Sequence, residues 1–528
     1  MKRINHLFRY LLAGVMGMAL LASCSQDALD AVNRNGDDPK DVPAQFILMD
    51  LITATAINTV GSDLSMYASI YMELEAGVHH QAYNAETRNS EPVSATTYNE
   101  SWVRIYTNIS NAKEIIRKCS AEGKEAGNDV TMGMAQVLYA INLGVLTDLF
   151  GDVPFKQTGI FGLDGLPVYK QPAVDTQQEA YNEIFALLDA AILNFDKSDS
   201  GPTGSPGKKD LLYNSAAAAW KKAAYGLKAR YKLNLLGRVA AGERTAYYTE
   251  ILGYISNSFN SVAEQMSADI FDGDVNNNPL RAIWESREFL GASQSLVDKF
   301  AEREDFRYRA FINWGLEQCE APEEIYCAEN GNPEVDAMEW FDFSAACEAP
   351  TAPIHLMSYH ELLFIKAEVQ ARSGNTAGAE ATLKEAVLAA YANLNVTLES
   401  ASETCLFDIP EYPLAIVEFL NPEDAEDYFD DSISGLYNAN PLQEVMIEKY
   451  LACFGANGES LLAYNDYRRM QGLGENFIVL ANPKNTNRFP LRFAYGADDV
   501  NNNPHIKTLY GNGQYVYSEN VWWAGGTR

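Results

Sequence analysis

The sequence predicts a mainly α-helical protein built from paired amphipathic helices of tetratricopeptide-repeat type, with long irregular insertions between them. Three observations carry this expectation. Apolar residues recur at spacings of three and four; two such stripes are joined by a helix-stop turn within the length of one repeat; and no segment shows the sustained period-two alternation of a sheet. Each stripe needs another helix to cover it, because an amphipathic helix buries its apolar face only against a partner.

In chain order, Lys2, Arg3 and Arg9 precede an apolar run from Leu11 to Leu21, which stops at Leu21-Ala22-Ser23-Cys24. Charge, apolar core and small residues in that order make a secretory signal, and a cysteine directly after Ser23 makes it a lipobox. The run is shorter than the ~20 residues of a spanning helix. Residues 1–23 are therefore expected to be a lipoprotein signal peptide and Cys24 the lipidated first residue, with two or more acyl chains holding it stably to a membrane. Residues 24–43, rich in Asp, Asn and Gly, read as a flexible tether, and residues 44–528 as a single helical body.

Within that body, Trp102, Ile105, Ile109, Ala112 and Ile116 form one stripe, and Tyr181, Ile184, Leu188, Ala191 and Phe195 another. Trp220, Ala224, Leu227, Tyr231 and Leu235 form a third, so Gln178 to Leu236 reads as a helix pair interrupted by the loop Ser198 to Lys209. Leu362, Ile365 and Val369 end at the stop signal Ser373-Gly374-Asn375, after which Ala379, Leu383, Ala386 and Ala390 begin a new stripe. Tyr359 to Asn393 is thus one repeat-length unit. Asn84–Thr97, Phe271–Pro279, Cys319–Pro353 and Leu480–Gly513 are the insertions, and in repeat proteins such segments gather on one face and bind.

Composition excludes some functions. There are 71 acidic against 40 basic residues, a net charge of −31, and loss of the signal removes three cations and no acid. Such a field repels nucleic acid and anionic membrane surfaces, so no nucleic-acid partner is expected and the lipid must hold the protein in place. Most of the 29 Tyr, 23 Phe and 7 Trp are assigned to helix packing. Cys319, Cys327 and Cys347 lie close together, and one disulfide among them is expected in an exported chain.

Catalytic and metal motifs are incomplete. His360-Glu361 opens like a zincin helix, but Phe364 stands where the second histidine belongs. Asp272, Asp274 and Asn276 alternate like a calcium loop, yet Asn277 and Ile283 replace its glycine and its last glutamate. There is no GxSxG elbow, no P-loop and no CxxC; no catalytic residue, cofactor or metal is expected. A glycosidase carboxylate pair carries no sequence signature, and most of these acids read as solvated surface charge.

Several segments together resemble the SusD/RagB family of outer-membrane nutrient-binding lipoproteins across nearly the whole mature chain. They are Trp102-Val103-Arg104-Ile105-Tyr106 with Asn111-Ala112; Leu146-Thr147-Asp148-Leu149-Phe150-Gly151-Asp152-Val153-Pro154; Pro172, Asp175, Gln178 and Tyr181; and Trp220 with Ala229-Arg230. Further on they are Tyr359, Phe364, Ala367 and Glu368; Glu448 to Ala452 leading to Tyr467-Arg468-Arg469; Arg488 to Arg492; and Asn501-Asn502-Asn503-Pro504 with Trp522-Trp523. Leu461-Leu462 and Tyr464 depart from the family pattern, where a tryptophan often precedes the double arginine.

The resemblance implies a SusD-like platform of helix pairs, a lid on a TonB-dependent, SusC-like transporter, and a non-catalytic role in capturing nutrient. It makes Cys24 the anchor in the outer membrane, and Asp27 and Asp30 fit an acidic surface-export tag that would place the protein on the cell exterior. Sugars are held by flat aromatic faces and planar polar groups. The ligand-binding candidates are accordingly the aromatics and histidines in or beside polar insertions: His79, His80, Tyr83, Trp314, Tyr326, Trp340, Phe341 and Phe343, with His79 and His80 expected to end a helix just before the Asn84–Thr97 insertion. An oligosaccharide is the first ligand class and a peptide the alternative, with a surface-tethered glycoside hydrolase or a repeat scaffold behind them.

Overall fold

The three-and-four spacing is realised as helices that pack against their neighbours in sequence. The structure is a computed structural model and describes residues 41–162, 165–287, 289–312, 324–334, 341–404 and 418–528. Cys24, Cys319, Cys405, Trp314 and Trp340 lie outside the described residues. The contacts of Ala44–Arg528 form one compact unit.

Helix α1 (Ala44–Ala54) runs into a π-helical turn, Thr55–Val60, before α2 (Asp63–Tyr71) and the short α3 (His80–Glu86). Asn142 fills the π turn from the facing helix, accepting from Thr59 Oγ1 at 2.7 Å and donating to Thr55 Oγ1 at 2.8 Å. Helices α4 (Asn99–Cys119) and α5 (Asp129–Phe150) follow as a pair. Trp102, Ile105, Ile109 and Ala112 of the expected stripe are buried, while Ile115 rather than Ile116 takes the last core position. Helix α5 is long and apolar enough to span a membrane, but 89% of its most apolar window is buried, which makes it the core helix.

Helices α6 (Gln177–Asn194), α7 (Ala217–Asn234) and α8 (Arg244–Ile255) continue the layer. Thr176 and Glu179 start α6 with a reciprocal capping box. After α9 (Pro279–Arg287) and α10 (Gln294–Arg303) comes the repeat-length unit, α11 (Tyr359–Arg372) and α12 (Thr376–Thr404). Gly374 adopts φ +81° between them, the left-handed turn expected there, but α12 runs on well past Asn393. The chain closes with α13 (Pro422–Tyr428), α14 (Ser434–Ala439), α15 (Pro441–Leu451) and α16 (Ser460–Leu473), then α17 (Asn485–Arg488), α18 (Ala497–Asn502) and α19 (Pro504–Tyr510).

Those last three helices correct the expectation that Leu480–Gly513 is irregular throughout. Each is shorter than two turns, too short for an apolar stripe to repeat; Asn503 caps α19 through His505 N at 3.1 Å. Short strands also escaped the pattern: β1 (Ala76–Gly77), β2 (Met266–Ala268), β3 (Leu290–Gly291), β4 (Phe311–Ile312), β5 (Phe343–Ser344) and β6 (Ile354–Met357). They pair antiparallel as β1–β3, β2–β6 and β4–β5. The expected disulfide is also corrected: Cys327 and Cys347 are both free thiols, and Cys347 is fully enclosed in the apolar core.

Buried polar groups lock the helices. Asp148 accepts from Tyr181 Oη at 2.6 Å and Asn465 Nδ2 at 3.1 Å; burial pushes its carboxyl up to about 6 against the Tyr181 bond and Arg468. Gly151 turns the chain at φ +79°, where a Cβ would fall on the Arg492 guanidinium that donates to Phe150 O. Arg469, fully buried, grips both oxygens of Glu368. Tyr464, at the departure from the family pattern, puts its ring 4.1 Å under Arg468 and donates to Pro490 O at 2.6 Å.

Candidate functional site

Four segments distant in sequence converge beside β1. Val78 N donates to Phe289 O at 2.9 Å, extending the β1–β3 ribbon, and Ala292 N donates to Asp342 O at 2.6 Å. Ala328 N donates to Ala292 O at 2.8 Å, Asp342 N to Tyr326 O at 3.0 Å, and Tyr326 N to Asp342 Oδ2 at 2.8 Å. Segments 324–330 and 341–344 are thereby fastened by backbone bonds to Ala292, directly after β3, and to each other.

Two enclosed carboxylates anchor this hub. Glu86 accepts from Gly331 N at 2.7 Å and Gly77 N at 3.1 Å. Burial pushes it up to about 7, opposed by Arg88 and those two amides. Glu73 accepts from Ala481 N at 2.7 Å and Asn482 N at 2.8 Å, which ties in the start of the last insertion.

The hub presents rings. Phe341 is 5% exposed and shares a small apolar cluster with Ala76, Val78 and Ala328, separate from the main core. Tyr326 stacks on it at 5.3 Å between centroids and 17° between planes, and remains 47% exposed. Nearby, the His79 and His80 rings lie 3.9 Å apart, and His80 meets the ring of Phe289 edge-on at 6.1 Å. Tyr83 sits half-buried one turn along α3. The two histidines begin a helix rather than end one, because α2 stops at Tyr71 and the β1 ribbon intervenes. His80 holds φ +44°, a left-handed conformation that a non-glycine residue adopts at a cost of about 1–3 kcal/mol.

Phe343 is placed differently. It lies in β5, 2% exposed and stacked on Trp284 at 4.6 Å, so it belongs to the core. Trp314 and Trp340 lie outside the described residues. Sequence reasoning passed over Phe289, which carries no periodic signal and reaches the site only through β3.

Among the described residues, cavities of ligand size open on the surface. One of about 620 Å³ lies between α10, the turn Phe306–Tyr308 and the segment Asp427–Ser432; Ile325, directly before Tyr326, lines it. Another, of about 590 Å³, is lined by Tyr106, Pro154, Phe161, Tyr169 and Asp498. Among the described residues, no three His, Cys, Asp or Glu side chains are grouped to hold a metal ion. His360 Nε2 meets Glu459 Oε2 at 2.7 Å inside the core, and Asp272 Oδ1 accepts the amides of Asp274, Val275 and Asn276.

A SusD-like family model, described as "Starch-binding associating with outer membrane", matches residues 40–496. The chain is similar to a SusD/RagB family protein from Bacteroides thetaiotaomicron of known structure, with 43% identity over 92% of this chain and 100% of that one, at a TM-score of 0.86. It shares its fold with a chitin-binding protein at 18% identity (90% and 99% covered, TM-score 0.66). A SusD homolog from Bacteroides fragilis shares it at 17% identity (92% and 100% covered, TM-score 0.65). A comparison with curated proteins gave no match.

Proposed function

This chain belongs to the SusD-like family, and from that premise we propose that it is a non-catalytic lipoprotein that captures oligosaccharide at the cell surface and delivers it to a SusC-like TonB-dependent transporter. Residues 1–23 direct export, Cys24 carries the lipid, residues 24–43 form the tether and residues 44–528 bind.

The observation that carries this reading is the Tyr326–Phe341 stack. A half-exposed ring backed by a buried one offers a flat apolar face held by a backbone-bonded hub, and the same hub carries the polar rings of His79 and His80. A sugar ring needs that combination, an apolar platform for its C–H face and planar groups for its hydroxyls. The hub also limits the ordering cost of binding, because its strands are already paired. Two measurements test the proposal. Solubilised outer membrane should release the protein together with a large β-barrel transporter in near-equal amount, and calorimetry against a panel of oligosaccharides should find a ligand whose binding Tyr326→Ala weakens about tenfold. Recovery of the protein alone, or a sugar affinity indifferent to Tyr326, would sink it.

A further inference from the structure

The 620 Å³ cleft beside the hub has a chemistry distinct from the ring platform. Its floor is apolar, made by Val297, Phe300, Phe306, Ile325 and the ring of Tyr428. Its rim carries four carboxylates, Glu304, Glu324, Asp427 and Asp431, all exposed.

The basic side chains nearest in the fold are engaged elsewhere. Arg303 pairs with Glu444 at 3.4 Å and Glu448 at 3.6 Å, Arg307 with Asp305 at 2.6 Å and Glu448 at 2.7 Å. Arg309 pairs with Glu418 and Asp424, each at 3.2 Å, and Lys384 with Asp430 at 2.7 Å. Among the described residues, none of the four rim carboxylates takes part in a salt bridge. Among the described residues, the lining contains no Lys, Arg, Asn, Gln or Trp. Its side-chain donors are hydroxyls, and that of Tyr428 is directed to Glu448 at 2.7 Å.

A neutral sugar is poorly served here. Its hydroxyls need donors as well as acceptors, and it brings no charge to offset four carboxylates around an apolar floor. An ammonium or guanidinium on an aliphatic stem satisfies both parts, because the stem packs on the rings while the cation reaches the rim. We propose that this cleft is a subsite for the lysine or arginine side chain of a peptide, with the stem over Phe300 and Phe306 and the cationic end among Glu304, Glu324, Asp427 and Asp431. The cleft is of ordinary ligand-pocket size, roughly 300–1,000 Å³. The proposal rests on this cleft and not on the sugar reading of the Tyr326 platform.

The test uses full-length protein in detergent and a fluorescein-labelled Ala-Lys-Ala-Lys-Ala peptide, followed by anisotropy. Binding is expected to weaken with salt, to fall at least about tenfold for the peptide carrying Nε-acetyl-lysine, and to fall about tenfold in Glu324→Gln/Asp431→Asn. Both positions are exposed, so that variant should keep the parent melting temperature. Tyr326→Ala should leave peptide binding within about twofold while weakening sugar binding, which separates failure here from failure of the platform reading. Equal binding of the acetylated peptide, or an affinity unchanged in the double variant, would overturn the proposal. So would preferential binding of a chitosan hexamer over the peptide, or loss of peptide binding in Tyr326→Ala.

Discussion

Replacing Glu368 by alanine should unfold the protein about 3 °C earlier. Glu368 is fully buried and accepts from Arg469 at 2.5 and 2.8 Å, from Arg372 Nε at 2.8 Å and from Lys449 Nζ at 3.4 Å, so one carboxylate joins α11, α15 and α16. Removing one partner of a buried pair costs about 3–5 kcal/mol, because a charge is left uncompensated. Here each cation keeps a second partner: Asp466 for Arg469 at 2.6 Å and for Lys449 at 2.8 Å, and Glu475 for Arg372 at 2.6 Å. The loss therefore belongs at the low end, about 3 kcal/mol, rather than at three times that value. An unfolding entropy of about 2 cal/mol/K per residue over about 485 residues makes 1 kcal/mol worth about 1 °C if the body melts as one. Burial alone would raise this carboxyl, but Arg469, Arg372 and Lys449 outweigh it and hold it well below the ordinary value. A depressed folded pKa stabilises above the unfolded value and loses that contribution as pH falls, so the gap between parent and variant should be full at pH 7 and shrink below about pH 4. Differential scanning fluorimetry at pH 7 and pH 3.5 reads both. A variant within 1 °C of the parent at pH 7 would refute the reasoning.

Glu75 has the opposite sign: burial pushes it up to about 8 against a Ser344 hydrogen bond, so native protein holds a proton that the unfolded chain releases near 4.5. Stability should fall by about 1.4 kcal/mol per pH unit attributable to this group as pH rises through that interval, and Glu75→Gln should remove the slope in urea titrations between pH 5 and 8. Phe343→Ala should cost about 3–5 kcal/mol through its stack on Trp284, whereas Tyr326→Ala should barely change the melting temperature; equal losses would contradict the assignment of one ring to the core and the other to the site. Cys24→Ala should release the protein from membranes into the soluble fraction, and a variant that still sediments with them would rule out the lipid anchor.

Sequence by itself determined what depends on neighbours within one or two turns. The stripes of Trp102 to Ala112, Tyr181 to Phe195 and Leu362 to Ala390 became buried helix faces, and Ser373-Gly374-Asn375 became the turn between α11 and α12. The candidate site was legible only as a set of aromatics in polar insertions. Phe341 and Phe343, two residues apart and alike in composition, ended under Tyr326 and against Trp284 respectively, because each loop segment is placed by partners from elsewhere in the chain. Whether the nearby thiols pair, whether His79 and His80 end a helix or start one, and which rings surround β1 were likewise decided by long-range contacts, such as that of Glu73 with Asn482, 409 positions away. Such contacts leave no periodic trace. Period and capping are local free energies written in adjacent residues, whereas a site assembled from four distant segments exists only once loop closure and burial have brought those segments together.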